Sequence, residues 1–198
     1  PFAAVRSGVG TRMMSIDPFT LPLARPMETA KGSIEEREGF VVRVDYADVT
    51  GVGEATPLPG WTESLDACRE ALEWVPEMAD DEDWGVALGE TNGPAARHGL
   101  SLALADARAR IQNKPLYRYL GEETLVRHVP VNATIGDGDA EAVVEAAADA
   151  VERGFDAVKL KVGARSGTAG TERPPAAPAA IREEVTLRVD AHGAWDRA

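Results

Sequence analysis

Short runs of alternating apolar and polar residues, typical of antiparallel strands, dominate the start of the chain. Residues 39–46 (GFVVRVDY) and 49–54 (VTGVGE) are two such runs, separated by a turn. The residues before them, 19–26, are extended and broken by prolines. Residues 15–55 are therefore predicted to form a small antiparallel meander.

Two helices are predicted after the meander. Thr62, Ser64 and Asp66 offer N-cap chemistry for a helix over roughly 63–75. Residues 95–111 place apolar side chains at a spacing that suits a buried helix, and a Lys-Pro pair ends it. A short helical turn follows that pair.

The pattern changes near residue 128, where strands and helices begin to alternate. The predicted elements are a strand over 129–135, a helix over about 140–153 that ends at Gly154, a strand over 155–163 and a strand over 185–191. A strand, a helix and a strand at this spacing predict a βαβ unit with parallel strands.

The segment 164–180 does not fit this alternation. Its length would hold the next crossover helix, but it has no large apolar residue, and Pro174, Pro175 and Pro178 forbid a continuous helix. An atypical loop or a local alteration of the sequence would each explain it. We divide the chain into a loose N-terminal end (1–14), an α+β domain (15–127) and a βα domain (128–198).

Composition narrows the class of partner. The 198 residues carry 33 acidic against 21 basic side chains, a net charge of −12. Such an excess of carboxylates argues against nucleic acid and against an anionic membrane surface, which both require clustered cations. No apolar run reaches the roughly 18 residues of a membrane span, and no secretory pattern opens the chain. We therefore expect a small-molecule partner.

Two further counts bear on the source of the protein. The single cysteine, Cys68, excludes an internal disulfide and fits a reducing cytoplasm, and on its predicted helix it is most simply a small core residue. Lysine is scarce beside arginine in this acidic chain, which resembles the composition of halophiles. Two of the few lysines nevertheless lie together, as Lys159 and Lys161.

These two lysines share one face of a predicted strand, because side chains alternate along a strand. Parallel sheets are normally covered on both faces, so a charged face is costly unless it lines the interior of a (β/α) barrel. An edge strand with its lysines on the solvent side explains the pattern equally well.

The second candidate is Asp190, at the carboxyl end of the strand 185–191. A carboxylate there is placed to bind Mg²⁺, which prefers hard oxygen ligands, but it would also serve to cap the next turn. His192 is most simply a surface imidazole. One loop is either core packing or a lid over a pocket; it consists of Pro57, Leu58, Pro59, Gly60 and Trp61.

The order of these motifs is specific. Gly53-Glu-Ala-Thr-Pro-Leu-Pro-Gly-Trp61 precedes the alanine-rich helix, Val-Pro-Val-Asn-Ala, Lys159-Leu-Lys161 and Val189-Asp-Ala-His-Gly-Ala-Trp195. In this order the chain resembles the enolase superfamily, in its muconate-lactonizing subgroup. It is most similar there to the o-succinylbenzoate synthase family of menaquinone biosynthesis. The resemblance covers residues 15–163 and 181–198.

The resemblance implies an α+β capping domain followed by an incomplete, enolase-like (β/α) barrel, truncated after about the third barrel strand. It also implies a Mg²⁺-dependent lyase that acts on a small carboxylate. Such an enzyme eliminates water in the syn sense through an enediolate intermediate. A dipeptide epimerase, a muconate cycloisomerase and a truncated product without activity stay open as alternatives, as does an oligomer of identical chains.

Residue roles follow from the same resemblance. Lys161 would be the general base, and Lys159 would tune its pKa and stabilise the anion. Asp190 would be one of three carboxylate ligands of Mg²⁺, with the other two expected beyond residue 198. The segment 20–32 and the loop 56–61 would close over the substrate.

Overall fold

The computed structural model describes residues 14–29, 32–78, 84–121, 127–136, 140–161 and 185–191. Contacts within the chain divide it into two units. The first unit contains the described residues of 1–21 and 37–125, and the second contains those of 22–36 and 126–198. The segment 22–36 belongs to the predicted first domain but is grouped with the second unit. The predicted loose end, up to residue 13, and the segment 164–180 lie outside the described residues.

A three-stranded sheet forms the base of the first unit. Its strands are β1 (Met14–Thr29), β2 (Gly32–Tyr46) and β3 (Val49–Ala55), in the order β1-β2-β3. β2 and β3 pair antiparallel, from Phe40 opposite Ala55 to Tyr46 opposite Val49. The two strands predicted over 39–46 and 49–54 are therefore confirmed, and β2 begins earlier than predicted.

The prediction that prolines break the first extended segment is wrong. β1 runs without interruption through Pro18, Pro22 and Pro26. The reason is its place at the edge of the sheet, since an edge strand uses only part of its N–H groups for pairing. Met14, which was assigned to the loose end, is buried at the start of this strand.

Helices cover one face of the sheet. They are α1 (Leu65–Met78), α2 (Trp84–Glu90), α3 (Pro94–Ile111) and the short α4 (Leu116–Leu120). The predictions of α1, α3 and α4 are confirmed, whereas α2 was not predicted. The Ser64 hydroxyl accepts a hydrogen bond from the Ala67 N–H at 3.2 Å, as expected of an N-cap. The shared core contains Phe40, Val42, Val44, Ala55, Cys68, Leu72, Val75, Trp84, Leu100 and Leu104.

α3 lies unusually close to β3 because two glycines leave room for it. A methyl group at Gly51 would lie 2.0 Å from the Ala103 carbonyl oxygen, and one at Gly53 would lie 2.1 Å from that of Gly99. The contact is extended by Asp106 of α3, whose carboxylate accepts the Val52 N–H at 2.9 Å. The Gly-Val-Gly sequence therefore serves the packing of a helix on a strand.

The N-terminus of α3 is capped by a residue distant in sequence. Gly93, at the N-cap position, has φ 90° and no side chain to accept a hydrogen bond. The carboxylate of Glu63 replaces it, accepting the Ala95 N–H at 3.2 Å and the Ala96 N–H at 2.8 Å. A negative charge there also favours the helix dipole. The start of α3 is thereby fixed to the residues just before α1.

We expect Glu63→Gln to lower the free energy of unfolding by about 1–2 kcal/mol, because it removes a charged, bidentate cap. Denaturant titration followed by circular dichroism measures the change. Glu70→Gln, an exposed position on α1, is the control for loss of the same charge. Equal stability of the two variants would contradict the assigned cap.

Cys68 is fully buried, as predicted for a core residue. Burial raises the pKa of its thiol from 9.0 to about 12, and the negative charge and hydrogen bond of Glu63 add to the rise. In the unfolded chain the thiol ionises at lower pH. Its contribution to stability is therefore complete below pH 9.0 and is lost as the pH rises from there to about 12.

We therefore expect native Cys68 to resist thiol reagents at pH 8, since the thiolate is the reactive form. Absorbance follows the reaction of Cys68 with a chromogenic disulfide. This reaction should be at least about 100-fold faster in denaturant, where burial and the raised pKa are lost. Because the chain has one cysteine, the signal has one source. Rapid modification of the native protein would contradict this environment.

A parallel sheet forms the base of the second unit. Its elements are β4 (Ala133–Ile135), α5 (Ala140–Glu152), β5 (Ala157–Lys161) and β6 (Thr186–Asp190), with the strand order β4-β5-β6. Both strand pairs are parallel, which confirms the predicted βαβ unit. Gly154, with φ 86°, follows the end of α5 as predicted.

β4 is shorter than the strand predicted over 129–135. Val129 and Val131 are 74% and 66% exposed and belong to no strand. Their β propensity is not enough without a neighbouring strand or a covered face. No helix in the described parts of either unit is both long enough and apolar enough to cross a membrane.

Candidate functional site

The two faces of β5 differ in character. Val158 and Leu160 are 0% and 2% exposed and pack in a core with Val143 and Ala147 of α5. Lys159 and Lys161 alternate with them and are only partly buried. Since successive side chains point to opposite sides of a strand, the lysines project from the face opposite α5. The predicted alternation along this strand is therefore confirmed.

The neighbouring strands add polar residues to the same face. Lys159 lies opposite Thr134 of β4 and Arg188 of β6, and Lys161 lies opposite Asp190. Directly paired residues of parallel strands point to the same side of the sheet. We call this set, Thr134, Lys159, Lys161, Arg188 and Asp190, the polar face.

The polar face contains an ion pair. Lys159 Nζ lies 2.7 Å from Asp190 Oδ2, and the two side chains are 35% and 22% exposed. β5 is the central strand of its sheet, so the alternative of an edge strand with solvent-facing lysines is wrong. The structure thus brings together the predicted lysine strand and the predicted aspartate.

The charge balance of the polar face favours an anionic ligand. Lys159, Lys161 and Arg188 bring three positive charges, and Asp190 brings one negative charge. The two lysines are partly buried, which strengthens their attraction for a carboxylate relative to open water, whereas Arg188 is exposed. The cationic face stands out in a chain whose net charge is −12.

On the polar face, the carboxylate of Asp190 is the group best suited to bind a divalent cation. It ends a parallel strand, and its carboxylate is a hard ligand of the kind Mg²⁺ prefers. Among the described residues, no three His, Cys, Asp or Glu side chains lie close enough together to hold a metal ion. The described residues therefore offer one candidate ligand and not a complete set.

The loop 57–61 and His192 are the remaining candidates. The loop 57–61 belongs to the first unit, where Pro57 is buried and Trp61 is 43% exposed. His192 is outside the described residues. Thr134 was not singled out from the sequence. The signal that could have found it is alternation along the strand, since Thr134 lies two residues after another polar residue, Asn132. The Asn132 amide donates a hydrogen bond to the Thr134 hydroxyl at 3.2 Å.

Two family models match the chain. Residues 11–107 match the family model described as MenC, N-terminal domain, and residues 142–198 match the model described as Enolase C-terminal domain-like. The two matches follow each other along the chain in the order of the two units. The chain belongs to the enolase superfamily.

Relatives with different activities have similar sequence identity to this chain. The chain is 34% identical to the o-succinylbenzoate synthase of Thermosynechococcus vestitus over 179 residues, which cover 89% of this chain and 51% of that protein. It is 30% identical to an aromatic dipeptide epimerase of Herpetosiphon aurantiacus, over 75% of this chain and 44% of that protein. The chain spans about half the length of the curated relatives it matches.

A solved structure shows the same fold. The o-succinylbenzoate synthase from Thermosynechococcus elongatus BP-1, complexed with Mg in its active site, matches with a TM-score of 0.65 and 27% identity. The match covers 93% of this chain and 53% of that structure. Both units of the chain therefore follow an enolase-superfamily fold.

Proposed function

We propose that the polar face is part of the active site of a Mg²⁺-dependent enzyme that removes the proton α to a substrate carboxylate. The observation that carries the proposal is the 2.7 Å ion pair of Lys159 with Asp190. It lies beside Lys161, on the polar face of a parallel sheet. In this proposal, β4, β5 and β6 are the first strands of a (β/α) barrel, and the first unit is its capping domain.

Lys161 is the proposed general base. Its amine takes the proton from the carbon next to the substrate carboxylate, and the electron pair of the broken C–H bond moves onto that carboxylate, giving an enediolate. Lys159 and Arg188 lie on the same face, where their positive charges stabilise the negative charge that develops on the enediolate.

The proposed reaction is a dehydration, as in o-succinylbenzoate synthase. The enediolate electrons return to form a carbon–carbon double bond, and the hydroxyl group on the adjacent carbon leaves. If both groups depart from one face, the ammonium of Lys161 can return its proton to the hydroxide, giving water. The ring of the product is then aromatic, which supplies driving force.

Magnesium fits this scheme through Asp190. When bound, Mg²⁺ would supply positive charge that lowers the cost of forming the dianion. Asp190 is the ligand that the described residues offer, and the further ligands of the proposed site are outside them. The Mg-bound relative supports the assignment of the ion.

The loop 57–61 and the segment 20–32 are the proposed substrate-side elements. The loop offers an exposed aromatic ring, Trp61, and the extended segment includes part of a hairpin grouped with the second unit. The location in a reducing cytoplasm rests on the single cysteine and stays an expectation.

A dipeptide epimerase is the second candidate function, because the epimerase of Herpetosiphon aurantiacus is nearly as similar as the synthase. A muconate cycloisomerase of the same subgroup is a third candidate. All three reactions pass through an enolate next to a carboxylate, with a proton removed from or added to the α-carbon, so the polar face suits each of them. A product without activity is the remaining alternative.

One experiment separates these functions. The protein is incubated with Mg²⁺ in D₂O and either 2-succinyl-6-hydroxy-2,4-cyclohexadiene-1-carboxylate, a set of dipeptides or muconate. Loss of ultraviolet absorbance of the cyclohexadiene supports the synthase, and deuterium at the α-carbon of a dipeptide supports the epimerase. Absence of turnover and of deuterium incorporation with all three substrates would overturn the proposed enzyme.

A further inference from the structure

The connection between α2 and α3 contains a pair of residues that can react with each other. Asn92 is exposed, and Gly93, the N-cap residue of α3, follows it with φ 90°. Asparagine is a thermolabile residue, because the backbone nitrogen of the next residue can attack its side-chain amide carbon. A following glycine leaves that nitrogen unshielded, since glycine has no Cβ.

Both reacting groups are accessible in the folded chain. Within the described residues, neither the Gly93 N–H nor the Asn92 side chain takes part in a hydrogen bond. A cavity of about 540 Å³ lies beside them, and its lining includes Gly93, Pro94, Arg97, His98 and Ser101. Water therefore reaches the pair, and the reaction does not require the chain to unfold.

We propose that Asn92 is a site of spontaneous deamidation. The Gly93 nitrogen loses its proton and bonds to Asn92 Cγ, and the side-chain nitrogen leaves as ammonia, which closes a succinimide ring. Water then opens the ring at either of its two carbonyl groups. One product is aspartate, and the other is isoaspartate, in which the main chain runs through Cγ. The net reaction consumes one water, releases one ammonia and adds one negative charge.

The residues on either side of Asn92 are both anchored. Thr91 is buried, and its N–H donates to the Ala87 carbonyl at 3.0 Å. The Thr91 carbonyl accepts a hydrogen bond from Arg97 Nη2 at 3.1 Å. The Gly93 carbonyl accepts the backbone N–H of the same arginine at 3.0 Å. Asn92 therefore spans two points whose separation is fixed by α3.

This anchoring makes the two products unequal. Isoaspartate lengthens the main chain by one methylene group, so a hydrogen bond of Thr91 or of Gly93 has to break. The Gly93 backbone also lies against Glu63, the residue that caps α3, since a methyl group at Gly93 would be 2.5 Å from Glu63 Oε1. Aspartate keeps the normal main chain, and its charge lies at a helix N-terminus, where the dipole favours it. We therefore expect isoaspartate to destabilise the first unit and aspartate to be tolerated.

Peptide mass spectrometry of protein aged in mildly alkaline buffer, below its unfolding transition, tests the site. Asn92 should be deamidated at least about tenfold faster than Asn113 and Asn132 in the same molecules. The Lys114 N–H donates to the Ala109 carbonyl at 2.9 Å, which occupies the nitrogen that follows Asn113. The residue after Asn132 carries a Cβ that shields its nitrogen. Equal or slower deamidation at Asn92 would overturn the proposal.

Hydroxylamine gives a second readout, because it opens a succinimide and cuts the chain there. Added during ageing, it should cut the wild-type protein between Asn92 and Gly93. Asn92→Gln moves the amide one methylene group further from the nitrogen and should stay intact. Asn132→Gln is the matched control and should be cut as the wild type is. Equal cutting of the two variants would place the reaction at another residue and contradict the site.

Stability measurements test the effect on α3. Ion exchange separates the aged protein by its added charge, and fragmentation mass spectrometry distinguishes isoaspartate from aspartate. In the isoaspartate form, the ratio of unfolded to folded protein should rise roughly tenfold. Asn92→Asp adds the charge without the methylene group and should change this ratio less than about twofold. Equal stability of the two forms in denaturant titration would overturn the proposed effect on α3, whereas the deamidation rates decide the modification itself.

Discussion

Lys161→Ala is expected to reduce kcat of the proposed reaction by at least about 10²–10⁴-fold, the range that general base catalysis supplies. Alanine leaves no group on the polar face at that position to accept the α-proton. Ultraviolet absorbance of the cyclohexadiene substrate follows turnover. Deuterium incorporation at the α-carbon reports proton removal even when the later step is slow.

Lys114→Ala is the control for this variant, because Lys114 is an exposed lysine outside the polar face. It should retain the wild-type rate. Lys159→Ala should also reduce kcat, since the positive charge next to the enediolate is lost, but it should leave measurable deuterium exchange through Lys161. Wild-type turnover by Lys161→Ala would show that another group is the base.

Asp190→Asn is expected to weaken Mg²⁺ binding by more than about 100-fold. Loss of an outer hydrogen-bond partner of a metal ligand already costs 10–100-fold in typical sites, and Asp190 is the proposed ligand itself. The amide keeps the size of the side chain but loses the charge that both Mg²⁺ and Lys159 require. Titration with Mg²⁺ by calorimetry measures the affinity, and kcat at saturating Mg²⁺ measures the chemistry.

Asp149→Asn is the matched control for the loss of one carboxylate. Asp149 is exposed on α5 and pairs with Arg153, away from the polar face. This variant should bind Mg²⁺ as the wild type does. If Asp190→Asn binds Mg²⁺ with unchanged affinity, Asp190 is not a ligand, and its role is confined to the ion pair with Lys159.

Local sequence patterns predict those elements whose own side chains show which face is buried. The alternation in 39–46 and the apolar spacing in 95–111 each describe one buried face, and both elements form where expected. β1 could not be read in the same way, because Pro18, Pro22 and Pro26 signal a break unless the strand is known to lie at an edge. Edge position is a property of the whole sheet and not of the segment.

The candidate site also has one part that local patterns predict and another that they do not. Alternation around Lys159 is enough to place both lysines on one face, opposite the buried Val158 and Leu160. The pairing of Lys159 with Asp190 depends on the register between β5 and β6, which no local pattern specifies. The capping of α3 by Glu63 could not be predicted for a similar reason, since about 30 residues separate the donors from the acceptor.

The close contact between α3 and β3 has a consequence for association between chains. β3 is an edge strand, and the outward N–H of Val52 would otherwise offer a pairing point to a strand of another molecule. Asp106 occupies that donor and is itself held by Arg110 at 2.8 Å. The absence of side chains at Gly51 and Gly53 is what allows α3 to come near enough. We therefore expect these small residues to disfavour edge-to-edge pairing between molecules, a hazard that grows with protein concentration.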